Sequence, residues 1–276
     1  MQLRLGDRLF DLTTRALVMG ILNRTPDSFY DRGATFDLDA LLRRADQLVA
    51  EGADMLDVGG VKAGPGPEVT EAEELDRVVP SIAALAARVD VPLSVDTWRA
   101  SVAAASYEVG AVLGNDISGF ADPAYLPAAA SAGASVVATH IRLAPRVADP
   151  DPHYDDVVED VAAFLVERAG RALAAGLSAS QVVIDAGLDL GKTSAQSLEL
   201  LRASARLSGL GYPLLLSASN KTFLGALLDL PIERRGEASL AAAALGITTG
   251  CRVLRVHDVA GTRQVRDALA RVLEAS

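Results

Sequence analysis

Polar side chains recur at the downstream ends of short apolar runs along the chain: Asn23, Asp57, Asp96, Asn115, His140, Asp185, Ser219 with Lys221, and Arg255 with His257. Their chemistries are complementary. A carboxylate such as Asp96 or Asp185 can accept a pair of N–H donors, Asn115 can both donate and accept, and Lys221, Arg255 and His257 can donate to an anion. Turn chemistry accounts for any one Asp or Asn in such a place, because both favour turns and helix caps. A whole series of them, each after an independent apolar run, points instead to one polar pocket.

The elements that must position these residues can be read from the runs themselves, which fall at residues 16–22, 54–60, 92–97, 112–117, 135–141, 182–187, 213–219 and 253–258. Several are almost unbroken apolar stretches (ALVMGIL, VVIDAG, PLLLSAS), the pattern of parallel strands covered on both faces. Between them the apolar spacing becomes helical. Leu38, Leu41, Leu42, Ala45, Leu48 and Val49 lie on one stripe, opened by Asp37 as N-cap and closed near Gly52. Further helices are predicted to begin near Glu71, Arg99, Pro123, Tyr154, Ser194, Glu233 and Gly261. Eight strand–helix alternations predict an α/β fold, a single (β/α)8 TIM barrel spanning residues 1–276, with a doubly wound open sheet as the runner-up. In such a barrel the C-terminal rim of the strands carries the site, and the polar residues above are the ones that reach it.

Composition narrows the function classes. The chain has 276 residues, half of them apolar and 22% charged, which suits a compact core. Its 26 basic against 36 acidic side chains give a net charge of -10, which repels a phosphate backbone, so no nucleic-acid partner is expected. Cys251 is the only cysteine, so no intramolecular disulfide can form, and a buried core thiol is expected. Residues 1–12 alternate apolar with charged types and lack the apolar run of a signal peptide. No stretch reaches the roughly 18 apolar residues of a membrane span. A cytoplasmic protein with no membrane partner is expected.

Five segments carry a family resemblance: Met19-Gly20-Ile21-Leu22-Asn23-Arg24-Thr25-Pro26-Asp27-Ser28-Phe29, Asp57-Val58-Gly59-Gly60, Ser94-Val95-Asp96-Thr97, Asn115-Asp116-Ile117 and Arg255-Val256-His257-Asp258-Val259. In type and order they resemble the motifs of dihydropteroate synthase, collinearly over residues 19–259. The resemblance implies a transferase that joins 6-hydroxymethyl-7,8-dihydropterin pyrophosphate to p-aminobenzoate and releases pyrophosphate. Such a reaction needs acceptors for the pterin, cationic contacts and Mg²⁺ for the departing anion, and a place for the amine. By resemblance, Asp96, Asn115, Asp185 and Lys221 line the pterin pocket, Ser219, Arg255 and His257 also bind substrate, and Arg255, His257 and Lys221 are catalytic. Asn23 is the implied Mg²⁺ contact through its carbonyl oxygen. A small-molecule pterin ligand and a homodimer are expected on the same ground.

The chain departs from that pattern in its second loop. Where the family reads Glu-Ser-Thr-Arg-Pro-Gly, this sequence has Val61-Lys62-Ala63-Gly64-Pro65-Gly66. Asp185-Ala186-Gly187 stands for Asp-Pro-Gly, Ser219-Asn220-Lys221 for Ser-Arg-Lys, and Thr139-His140 for Met-His. Arginine is thus lost at 64 and 220. Lys62 is a point charge and does not reproduce a planar, two-pronged guanidinium. The expectation is a divergent second-copy protein that binds pterin or its pyrophosphate ester and condenses weakly or not at all. An active synthase of folate biosynthesis is the alternative. A pterin-dependent methyl-transfer barrel is disfavoured, because the opening motif and the pair Arg255 and His257 suit a pyrophosphate leaving group.

Other patterns are assigned to structure. The stretch Gly187-Leu188-Asp189-Leu190-Gly191-Lys192-Thr193 has three residues between its glycines where a phosphate-binding P-loop needs four. The acidic run 154–160 reads as a solvated helix start favoured by the macrodipole. One cysteine and three histidines offer no zinc spacing. Met19 and Phe29 are expected to pack, with Phe29 also a candidate to line the amine space. The alanine-rich segments 83–87 and 241–244 are expected to pack internally.

Overall fold

The computed structural model describes residues 1–25 and 36–274, so Phe29 lies outside the described residues. Among the described residues there are ten strands: β1 (Gln2–Leu5), β2 (Arg8–Asp11), β3 (Leu17–Asn23), β4 (Met55–Gly59), β5 (Leu93–Asp96), β6 (Ala111–Asp116), β7 (Ser135–Thr139), β8 (Val182–Asp185), β9 (Leu214–Leu216) and β10 (Cys251–Val256). The last eight close a parallel barrel in the order β10-β3-β4-β5-β6-β7-β8-β9. Each predicted run overlaps one of these strands, so the (β/α)8 architecture is the one expected and the open sheet is excluded.

The closing seam is β10 against β3, with Val253 opposite Leu17 and Val256 opposite Gly20. Period-two alternation sorts the strand residues onto two faces. Val18, Leu22, Leu56, Val58, Val95, Val136, Ala138, Ile184 and Leu254 belong to the large core beneath the helices. Leu17, Met19, Met55, Leu113, Val137, Val183, Leu215 and Val253 form a separate inner core.

The antiparallel hairpin β1–β2 was not foreseen, since the alternation in residues 1–12 served only to exclude a signal peptide. Its register pairs Leu3 with Phe10 and Leu5 with Arg8. Leu3, Leu5 and Leu12 pack on the inner core and stopper the barrel at the end away from the rim.

Local signals set the helix ends. The Asp37 side chain accepts from Ala40 N at the start of helix Leu38–Glu51, which stops at Gly52 with φ 99°. Reciprocal capping boxes open helix Glu71–Ala86 (Thr70 with Glu73) and helix Ser194–Arg202 (Thr193 with Gln196), each cap worth about 1 kcal/mol. Helix Val157–Ala174 is capped by Asp156, with Glu159 and Asp160 in its first turn, as the solvated-helix reading of 154–160 requires. Helices Ser204–Ser208 and Thr222–Leu228 were not expected.

Cys251 is fully buried, and burial pushes its thiol up to about 12. Of residues 241–244, Ala242 and Ala243 are buried as expected, Ala244 is half-buried and Ala241 is exposed. Ala83, Ala86 and Ala87 are exposed, because they lie on the solvent side of the last turns of their helix. Among the described residues no helix is long and apolar enough to cross a membrane.

Candidate functional site

Continuing the inner core toward the rim in steps of two leads from Met19 to Ile21 and Asn23, from Met55 to Asp57 and Gly59, and from Leu113 to Asn115. The same steps lead from Val137 to Thr139, from Val183 to Asp185, from Leu215 to Ser217 and Ser219, and from Val253 to Arg255 and His257. Register places Ser94 beside Asp57 and Asp96 beside Gly59. One alternation thus turns an apolar floor into a polar inner layer, and the rim residues singled out in the sequence share it. His140 is the exception. One position out of phase, it faces outward and packs its ring on Phe164 at 4.8 Å between centroids.

Arg255 is the crossbar of the layer. Its Nε donates to Asp57 Oδ2 at 2.6 Å and its Nη2 to Asp96 Oδ2 at 2.6 Å. Asp57 also accepts from Ser94 Oγ at 2.5 Å and from Asn115 Nδ2 at 3.1 Å. Asp57 is fully buried and lies within β4, so it acts as the anchor of Arg255. A surface ion pair for Arg255 is excluded. Burial works against the charge of Arg255, but Asp57 and Asp96 outweigh it and hold the guanidinium protonated. One cation between the buried Asp57 and the half-buried Asp96 leaves a surplus negative charge. Burial, and then Asp57, Glu74 and Asp116, push Asp96 up to about 7 against the pull of Arg255.

Asp185 and Lys221 are two further charged groups of the site, and each acts on the other electrostatically. Burial raises the Asp185 carboxyl and lowers the Lys221 ammonium, and each opposes the other's shift. Asp185 Oδ1 accepts from Gly187 N at 2.8 Å, and Lys221 Nζ donates to Leu188 O at 2.6 Å. Ser219 Oγ lies 3.0 Å from His257 Nδ1 and accepts from His257 N at 3.2 Å.

A cavity of about 220 Å³ opens at this mouth. Asn23, Asp96, Ser219, Lys221, Arg255 and His257 line it, together with Val61, Lys62, Ala63 and Gly64 of the altered loop. Asn115 and Asp185 lie in the inner layer directly beneath it, 3% and 6% exposed. Ile21, Thr25 and Ser217 also line it and were not singled out in the sequence. The period-two step from Met19 and from Leu215 would have found Ile21 and Ser217.

Asn220 lies elsewhere. It is buried at φ 57°, its N–H donates to Ser239 Oγ at 3.0 Å, and its side-chain oxygen accepts from the same hydroxyl at 3.3 Å. The altered loop is itself held from outside. Arg146 N donates to Ala63 O at 3.1 Å, Nη1 donates to Lys62 O at 3.0 Å, and Nη2 donates to Pro67 O. A single arginine of the loop after β7 thereby fixes three carbonyls of the loop after β4.

Residues 19–257 match the family described as pterin binding enzyme. The chain is 46% identical over 264 residues to the inactive dihydropteroate synthase 2 of Mycobacterium leprae, covering 94% of this chain and 91% of that protein. It is 41% identical over 247 residues to the dihydropteroate synthase of Bacillus subtilis, covering 89% and 84%. Among solved structures, the Yersinia pestis dihydropteroate synthase in a sulfonamide drug complex superposes with a TM-score of 0.95 at 39% identity, covering all of both chains. By motif order, barrel topology and these matches, the chain belongs to the pterin binding enzyme family that includes the dihydropteroate synthases.

Proposed function

We propose that this protein binds a pterin, or 6-hydroxymethyl-7,8-dihydropterin pyrophosphate, at the barrel mouth, and that it performs the condensation with p-aminobenzoate weakly or not at all. The observation that carries this reading is the contrast between the inner layer and the loop above it. Asp96, Asn115, Asp185, Lys221 and Arg255 occupy one polar layer that suits the donors and acceptors of a pterin edge. The wall facing that layer is built from Val61, Lys62, Ala63 and Gly64, which present no guanidinium or hydroxyl to an anion.

Arg255 and His257 line the cavity where a pyrophosphate would depart, and Lys221 would donate to the pterin. Asn23 Oδ1 and Asp96 Oδ2 both stand 3.5 Å from the place a Cβ on Gly59 would occupy, with Asp96 Cβ at the same distance, so two oxygens border the small space that the missing side chain leaves. That donor type fits Mg²⁺, which keeps most of its waters and takes further oxygens from phosphates. Among the described residues no group of three or more His, Cys, Asp and Glu could hold a metal by itself. The ion would come with its phosphate ligand and neutralise the charge on the departing anion.

Calorimetric titration with the pterin, its pyrophosphate ester and p-aminobenzoate, each with and without Mg²⁺, tests the reading. Mg²⁺ is expected to strengthen binding of the ester and to leave the free pterin unchanged. Equal Mg²⁺ dependence for the two ligands would contradict the placement at Asn23.

The titration of Asp96 supplies a second test. Above about pH 7 the group is a carboxylate and accepts from ligand N–H groups, whereas below it the proton opposes those donors. Pterin affinity is therefore expected to rise as pH passes upward through 7, and Asp96→Asn to flatten the profile. A pH-independent wild-type affinity between 6 and 8 would rule out a titration of Asp96 coupled to the ligand in that window.

A further inference from the structure

The turn between β8 and helix Ser194–Arg202 carries the sequence Gly187-Leu188-Asp189-Leu190-Gly191-Lys192, and the proposed function leaves its polar residues unexplained. Gly187, Asp189 and Gly191 all adopt left-handed backbone, with φ of 65°, 64° and 61°. Glycine is required at 187, since a Cβ there would stand 1.9 Å from His140 O. At 189 glycine would serve the backbone better than any L residue. An aspartate kept in that conformation calls for a reason in its side chain.

The carboxylate has one. Asp189 Oδ2 accepts from Thr222 N at 2.7 Å and from Phe223 N at 3.3 Å, the opening amides of helix Thr222–Leu228. The residue in the N-cap position of that helix is Lys221, which makes no side-chain cap bond of its own. Asp189 therefore caps the helix from another loop. Ser197 Oγ steadies it, accepting from Asp189 N at 3.0 Å and reaching Asp189 Oδ1 at 3.3 Å. The same turn grips Lys221 directly through Leu188 O. It is fastened from below by Lys192, whose buried Nζ donates to Gly187 O at 2.9 Å, to Leu190 O at 3.0 Å and to His140 Nδ1 at 2.8 Å.

We propose that Asp189 is a positioning residue for Lys221: by capping the helix that Lys221 opens, and by shaping the turn whose Leu188 carbonyl holds the ammonium, it fixes that ammonium at the barrel mouth. This rests on Lys221 contacting the pterin, as proposed above. The distinction from a merely structural role is that the effect of Asp189 on ligand affinity must pass through Lys221.

The experiment is a double-mutant cycle read by calorimetry with 6-hydroxymethyl-7,8-dihydropterin as the probe. Asp189→Gly keeps the left-handed backbone and is expected to fold. It is expected to weaken pterin binding about tenfold, the order of one lost cap. In a Lys221→Met background the same change is expected to cost less than about twofold. Asp189→Asn keeps one acceptor for Thr222 N and is expected to recover most of the affinity. Unchanged affinity in Asp189→Gly, or an equal loss in both backgrounds, would overturn the positioning role. Wild-type affinity in Lys221→Met alone would overturn the placement of Lys221 in the site, and the role of Asp189 with it.

Discussion

Purified protein supplied with 6-hydroxymethyl-7,8-dihydropterin pyrophosphate, p-aminobenzoate and Mg²⁺ is expected to form little or no dihydropteroate, and rewriting residues 61–64 as Glu-Ser-Thr-Arg is expected to raise the rate roughly 30- to 1,000-fold. Ionisation of the C–O bond puts new charge on the departing pyrophosphate while the amine must be held over the same carbon. A donor that acts at that stage is worth about 2 to 4 kcal/mol. The altered loop lines the cavity where it would act. The geometry also permits the repair. Among the described residues only Lys62 Cε, at 3.9 Å, comes within 4 Å of a Cβ built on Gly64, so the described part of the loop leaves an arginine room. Arg146 holds the loop by backbone carbonyls, which new side chains leave in place.

The second lost arginine is a different case. Asn220 sits in left-handed backbone and bonds to Ser239 away from the mouth, so Asn220→Arg introduces strain and displaces that pair. Its further gain is expected to be small beside that of residue 64. Ordinary synthase rates in the unmodified protein would sink the proposal of weak condensation and leave an active enzyme. Continued inactivity after the repair would move the lesion to Ala186 or Thr139, the next departures from the family pattern.

The second large effect is expected from Asp185→Asn, which should abolish measurable pterin binding, a loss of about 2 to 4 kcal/mol. The carboxylate lies in the inner layer, opposed in charge to Lys221 and accepting from Gly187 N through one oxygen. An amide can keep that bond only by aiming its NH₂ group at the ligand's own donors. The fold should survive, because the replacement is isosteric. Calorimetry with the free pterin measures the loss, and an unchanged affinity would exclude Asp185 from the site.

Strand positions were legible because each barrel strand writes two signals at once, an apolar run and a polar residue at its end. Even so, the polar residues do not all do the same thing. Asp57 and Asp96 look alike in the sequence and both bond Arg255, yet one is fully buried in mid-strand while the other ends its strand and reaches the cavity. That difference comes from strand stagger around the barrel, which no local pattern encodes. His140 ends an apolar run like the others, but the period-two step from Val137 reaches Thr139, so the imidazole falls on the outer face. Asp189 was invisible for another reason: its partners, Thr222 and Phe223, are distant in sequence and meet it only when two rim loops come together. Arg146 escaped notice likewise, as a charged residue in an irregular stretch whose targets are backbone carbonyls.

The hairpin that stoppers the barrel fixes an order of events in folding. Its two strands are neighbours in the chain and can pair early, but the floor that receives Leu3, Leu5 and Leu12 is assembled from strands spread over the whole barrel, up to Val253 of β10. The seam between β3 and β10 cannot form until β10 exists, and pairings of such long reach are slow. Leu3 and Leu5, made long before β10, are thus among the last to lose contact with water. Until the barrel closes, the hairpin keeps an apolar face exposed.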